Sequence, residues 1–252
     1  MTNESNGAAL PEAELLRQLV TFQTVTDNIA TNNEALDFIT GYLAERGMHV
    51  VRHTYNGAGA LIATTRETKT PAVMFIAHTD VVPAPEKLFT MNEKDGKFFG
   101  RGVWDMKFAI ASYMTLVDEL RDELDAYDFG IMLSSDEEAK DDGVRAMVEE
   151  GFLPRVAILP DGANDWQIET AAKGAYYFIV HFTGKTAHGS RPWLGDSVSF
   201  KIHRFMSGLT ELFEGQGPKT PTLNVSSPST FGIITSQTNF PRLLQLGGRI
   251  TF

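Results

Sequence analysis

Cysteine is absent from all 252 residues. No disulfide, thiolate zinc site or cysteine nucleophile can form. Any metal must therefore be held by imidazole and carboxylate, a donor set that suits zinc, cobalt or manganese at a catalytic centre. A chain without disulfides fits the cytoplasm. Positive charge is scarce as well, 22 Lys and Arg against 32 Asp and Glu, for a net charge of −10. That balance argues against a nucleic-acid or anionic-membrane partner, because both need a basic surface. Apolar residues make up 42% of the chain, yet no apolar run approaches the length of a membrane span. Residues 1–10 show neither the basic nor the apolar segment of a secretory signal. There is no internal repeat and no low-complexity tract. The length suffices for one large domain or two small ones with a buried core.

What is present begins with amphipathic order. Residues 11–25 predict a helix, with Pro11 in the first turn and Leu15, Leu19 and Phe22 at helical spacing. Residues 33–46 predict a second, with Leu36, Ile39 and Leu43 inward and Gly47 as its stop. Residues 48–55 and 60–65 read as a strand pair about Asn56-Gly57-Ala58-Gly59. Helices are expected over 108–124 and 141–150. Alternating with strands, they imply parallel βαβ units. The character changes near Thr170. A strand over 176–182, a helix carrying Val198, Ile202, Phe205, Leu209 and Leu212, a Pro/Ser/Thr-rich loop over 218–229, and strands over 230–235 and 243–252 suggest a second, α+β domain. The expected division is 1–170 and 171–252.

Three short apolar runs end abruptly in acid or histidine. Val73-Met74-Phe75-Ile76-Ala77 precedes His78-Thr79-Asp80, Ile131-Met132-Leu133 precedes Ser134-Ser135-Asp136-Glu137-Glu138, and Val156-Ala157-Ile158-Leu159 precedes Pro160-Asp161. Such runs read as buried parallel strands, and ligands of open α/β sheets bind at the carboxyl ends of strands. A further acid, Asp105, follows Gly100-Arg101-Gly102-Val103-Trp104. Together they would gather nitrogen and oxygen donors at one rim, as a two-metal hydrolase requires. Each has a plainer reading. His78 could be a polar strand cap, Asp105 a helix N-cap, and Asp136, Glu137 and Glu138 a solvated acidic turn. His49, His53, His181 and His203 lack acidic company and read as structural or solvent-facing.

Taken together, these stretches resemble the acetylornithine deacetylase, succinyl-diaminopimelate desuccinylase, aminoacylase and carboxypeptidase G family of co-catalytic zinc metallopeptidases. The residues that carry the resemblance are His78-Thr79-Asp80-Val81-Val82-Pro83, Gly100-Arg101-Gly102 with Asp105-Met106-Lys107, Asp136-Glu137-Glu138, Asp161, Lys173-Gly174 and Gly184-Lys185-Thr186-Ala187-His188-Gly189. The resemblance implies an α/β fold. A mixed, largely parallel sheet with flanking helices, zinc-exopeptidase-like, forms the catalytic domain, followed by part of an α+β lid and dimerisation domain.

It also implies roles. His78 and Asp161 would bind one metal, Asp105 would bridge two, and Glu138 would bind the second. Glu137 would be the general base, Asp80 would orient His78, and the Asp105–Met106 peptide would be cis. His188 would reach across a homodimer to polarise the scissile carbonyl. Arg191 is a candidate partner for a substrate carboxylate. The implied cofactor is a pair of zinc ions, with cobalt or manganese as alternatives, and the implied substrate an N-acyl amino acid or dipeptide. In the family, a return segment after the lid completes the sheet and adds a last metal-binding histidine. Here no histidine lies beyond His203. The chain is therefore expected to be C-terminally truncated, with an incomplete second metal site, and the rival expectation is a non-catalytic metal-binding relative acting by association.

Overall fold

The computed structural model describes residues 11–139, 142–161, 168, 175–212, 222–224 and 244–251, and for 175–179, 210–212, 222–224 and 244–251 the backbone only. The chain divides into two compact units, Met1–Ile168 and Glu169–Phe252.

The first unit opens with two helices, α1 (Pro11–Thr21) and α2 (Ile29–Ala44). α1 buries Ala13, Leu16, Leu19 and Val20, a face rotated from the Leu15 and Phe22 stripe that the spacing suggests. It also ends four residues early, because residues 24–26 run alongside the end of the first ligand-bearing strand. Val25 forms a parallel bridge with Val81, and the Val81 N–H donates to Thr24 O at 2.9 Å. α2 begins earlier than expected, at an Asn28 cap whose side chain accepts from the Thr31 N–H. Its Leu36, Ile39 and Leu43 are fully buried, and Gly47, at φ 93°, ends the turn that follows.

Strands β1 (His49–Tyr55) and β2 (Ala58–Thr64) form a hairpin with Tyr55 opposite Ala58. Its two-residue turn, Asn56-Gly57, has positive φ at both positions, the geometry that matches strand twist. Strands β3 (Val73–His78), β6 (Phe129–Ser134) and β7 (Val156–Ile158) join them in the order β1-β2-β6-β3-β7. β3 is parallel to both neighbours, and β2 is antiparallel to β6. A small hairpin, β4 (Asn92–Lys94) with β5 (Lys97–Phe99), lies between β3 and α3 (Phe108–Glu119). α4 (Asp142–Glu149) follows β6.

Alternate residues of each strand serve opposite faces. Leu61, Ala63, Ile131 and Leu133 pack with α1, α2 and α3, whereas Ala60, Ile62, Met74 and Met132 pack with Met147 and Phe152. The third apolar run departs from expectation. It is a parallel strand, but Val156, Ile158 and Leu159 are exposed, because among the described residues β7 has β3 as its one neighbour and stands at the sheet's edge.

α2 lies tightly on β2 at Gly59, where an added Cβ would stand 2.7 Å from Asn33 Oδ1 and 2.8 Å from Leu36 Cδ1. Gly59→Ala is therefore expected to destabilise the first unit by about 1–3 kcal/mol through overpacking. A lowered urea midpoint with unchanged slope would show it, and an unchanged midpoint would mean that α2 shifts freely.

The second unit contains β8 (Ala175–Phe182), α5 (Val198–Leu212), β9 (Thr222–Asn224) and β10 (Leu244–Thr251). The strands form an antiparallel sheet, β8-β10-β9. Phe205 of α5 meets Phe182 of β8 edge to face, with ring centroids 5.4 Å apart. β9 falls inside the segment that composition marks as a loop, and the strand expected over 230–235 lies outside the described residues.

Candidate metal centre

Strand register brings the acids together. β3 and β6 run parallel with His78 opposite Ser134, so Glu137 and Glu138 follow directly beside the end of β3. Phe75 pairs with Ile158. Three residues after this pair come His78, at the end of β3, and Asp161, just beyond the end of β7.

His78 is the buried hub of the group, its side chain 2% exposed. Its Nε2 lies 3.1 Å from Asp105 Oδ1, 3.8 Å from Glu137 Oε2 and 3.8 Å from Asp161 Oδ2. One donor atom each from His78, Glu137 and Asp161 lies within 4.8 Å of the others. Asp105 is the charge that acts most strongly on the Glu138 carboxylate. Asp105 does not cap α3, since Lys107 occupies that position. The Asp105–Met106 peptide is cis.

The other ring nitrogen, Nδ1, lies 3.0 Å from the backbone carbonyl of Asp80 and 3.4 Å from its Oδ1. With Nδ1–H donating to that carbonyl, Nε2 is left as the lone-pair donor toward the acids. The Asp80 side chain does more than orient the ring. It accepts from the Glu137 and Glu138 N–H groups, each at 3.1 Å, and from Thr26 Oγ1 at 2.9 Å.

Asp136 likewise turns away from the solvated role that its setting suggests. It is buried and accepts from the Asp142 N–H at 2.8 Å and the Gly143 N–H at 3.2 Å, capping α4. Consecutive acids thus face different ways: Asp136 to a helix terminus and Glu137 to His78 and Asp161.

Electrostatics follow from this crowding. Burial pushes the His78 ring down, but Asp80, Glu137 and Asp105 outweigh it and hold its pKa at about 9. Burial raises Glu137; His78 opposes this, and Asp161, Glu138 and Asp80 add to it. Burial also raises Glu138, with Asp105 adding. Lys107 gives little relief. Burial pushes its ammonium down to about 7, and Nζ donates to Leu19 O at 3.0 Å and Phe22 O at 2.8 Å, at the carbonyl end of α1. One imidazole facing several carboxylates is a donor set that a divalent cation fits, and a cation would take the place of the proton on Nε2.

Residues 74–237 match peptidase family M20/M25/M40. The chain belongs to this family. It is 28% identical over 209 residues to a probable succinyl-diaminopimelate desuccinylase of Staphylococcus epidermidis, covering 79% of this chain and 51% of that protein. It is 26% identical over 223 residues to a probable carboxypeptidase of Emericella nidulans, covering 81% and 52%. The chain thus spans about half the length of the curated relatives it matches. The fold matches an M20 family metallo-carboxypeptidase of Sulfolobus solfataricus with a TM-score of 0.73 at 13% identity, covering 97% of this chain and 71% of that one. Human carnosine dipeptidase 1 gives a TM-score of 0.70 at 13% identity, with 96% and 69% covered. The α/β catalytic fold expected from the sequence is therefore present.

His188 and Arg191 lie in the second unit, in a loop closed by a Lys185–Asp196 bridge with backbone bonds of 3.0 and 2.8 Å. Gly184 is required there, since a Cβ would stand 2.3 Å from Asp196 O. His188 Nδ1 accepts from the Ser190 N–H at 3.2 Å and lies 2.9 Å from Ser190 Oγ, so the neutral ring carries its proton on Nε2. Arg191 is exposed, and its backbone N–H donates to His188 O at 2.8 Å. Residues 173 and 174, part of the family-like pattern, lie outside the described residues. Sequence reasoning missed Thr26 and the cap made by Asp136. Neither has a local signal, because each acts on a partner distant in the chain or turned inward.

Proposed function

We propose that the chain is a metal-dependent amidohydrolase that cleaves the amide bond of an N-acyl amino acid or a small peptide. The observation that carries this reading is the convergence of the His78 imidazole with the carboxylates of Asp105, Glu137 and Asp161. His78 and Asp161 would hold one zinc ion, Asp105 would be shared, and Glu138 would hold a second ion. Cobalt or manganese would satisfy the same donors. When bound, the metal supplies a Lewis acid and lowers the pKa of water. Glu137 takes the proton of the attacking water and delivers it to the leaving amine. The Asp80 carbonyl holds the His78 ring so that Nε2 faces the centre. His188 donates to the carbonyl oxygen as charge develops there, and Arg191 pairs with a substrate carboxylate.

Family membership favours hydrolysis over the association-only reading, and the names of the relatives, a desuccinylase, a carboxypeptidase and a dipeptidase, all fit amide cleavage. A homodimer belongs to the same proposal through His188, and a cytoplasmic site fits the cysteine-free composition. The test is amine release from a panel of N-acetyl and N-succinyl amino acids and dipeptides. Activity is expected to vanish on chelation and to return with zinc, cobalt or manganese. Folded, metal-loaded protein that releases no amine from any of them would overturn the proposal.

A further inference from the structure

Asp80 is fully buried, and its carboxylate accepts hydrogen bonds from three donors. Oδ1 accepts from the Glu137 N–H at 3.1 Å and lies 3.4 Å from His78 Nδ1. Oδ2 accepts from the Glu138 N–H at 3.1 Å and from Thr26 Oγ1 at 2.9 Å. An ionised carboxylate offers about four acceptor sites; three are filled by these hydrogen bonds, and His78 Nδ1 stands near the fourth. His78 has an independent partner in the Asp80 carbonyl at 3.0 Å. The two glutamate N–H groups are the donors that most need the side chain. They are consecutive, and the direction of their N–H bonds fixes the backbone from which the two glutamates diverge.

We infer that Asp80 is a positioning residue for the Glu137–Glu138 turn, its carboxylate setting where the two glutamate side chains point. This reaches beyond orienting His78, and its catalytic consequence rests on the hydrolase reading above. Thr26 completes the device. Its hydroxyl binds Oδ2, and its N–H donates to Val81 O at 3.3 Å, which ties the segment after α1 to the end of β3.

Asp80→Asn separates the roles. An amide has one acceptor oxygen and one NH2 group, whereas the groups around Asp80 are chiefly donors. The Thr26 hydroxyl can reverse and accept, so the NH2 group belongs on its side. The Glu138 N–H then faces a donor and loses its partner, while the Asp80 carbonyl still holds His78.

The experiment reads amide hydrogen exchange by NMR on the whole chain without metal or substrate, so that failure of the hydrolase reading leaves it decidable. In Asp80→Asn, exchange at Glu138 is expected to rise about 10- to 100-fold, as loss of a bond to a charged acceptor implies. Thr26→Val, which keeps the carboxylate, covers the case in which Asp80→Asn does not fold. Its expected acceleration at Glu138 is smaller, about 3- to 10-fold, and Thr26→Ser should return it to the parent value. Where hydrolysis is measurable, kcat of Asp80→Asn is expected to stay about 10- to 100-fold low at saturating metal. Unchanged exchange at Glu138 in the folded variants, or full recovery of kcat with excess metal, would each overturn the inference.

Discussion

Replacing Glu137 with Gln is expected to lower kcat for amide hydrolysis by about 10²- to 10⁴-fold, the effect of removing a positioned general base, while metal content stays nearly unchanged. Geometry makes the second half of that statement the more demanding. Glu137 Oε2 lies 3.8 Å from His78 Nε2 and belongs to the three-donor group with Asp161, so a metal-ligand role competes directly with the base role. Two observations favour the base. The Glu137 side chain is 42% exposed, the access that a group needs to exchange protons with water and a leaving amine. Glu138, by contrast, has as its strongest charged neighbour Asp105, the acid assigned to both ions. Amine release and elemental analysis after dialysis on the same preparation decide the matter. Loss of metal in proportion to activity would exchange the roles of Glu137 and Glu138.

The strand ends were legible because they carry two signals at once. An apolar run ending in His78, or in Asp136-Glu137-Glu138, marks both a buried strand and a polar rim, and the register of β3 with β6 then sets His78 beside Ser134. The hairpin turn was legible because only Asn and Gly accept positive φ so readily. What the sequence hid is contact across the chain. Asp80 appears beside His78 in the sequence and invites a role with that ring, yet its carboxylate binds amides 57 and 58 residues away. Asp136 sits in an acidic run and reads as solvated, but it is buried as the cap of a helix six residues on. Val156, Ile158 and Leu159 read as core because apolarity reports what a strand can bury, not how many neighbours it has. The α1 face is legible only in part: Leu19 is buried as its spacing suggests and Leu15 packs at the margin of the same core, but equally apolar Leu16 lies deeper.

His188→Ala is expected to cost about 10²- to 10³-fold in kcat, as removal of an oxyanion donor does, and the lost activity should be recoverable in trans. The local structure supplies the donor. Ser190 holds Nδ1 as an acceptor, which leaves Nε2–H to donate, and the closed Lys185–Asp196 loop limits how far the ring can wander. The second unit also exposes large apolar groups, Phe200 at 76% and Trp193 at 73%, the kind of surface that self-association covers. If His188 serves the partner's centre, a hybrid of His188→Ala and Glu137→Gln chains has one site with an intact glutamate and an intact histidine. Its other site lacks both. Random pairing of equal amounts into two-fold dimers then restores roughly a quarter of the parent activity, although each variant alone is nearly inactive. A histidine that works within its own chain gives no recovery at any mixing ratio. Subunit exchange must be followed separately, by native mass spectrometry of the mixture. Hybrid dimers without activity would leave His188 a loop residue and remove the functional reason for a dimer.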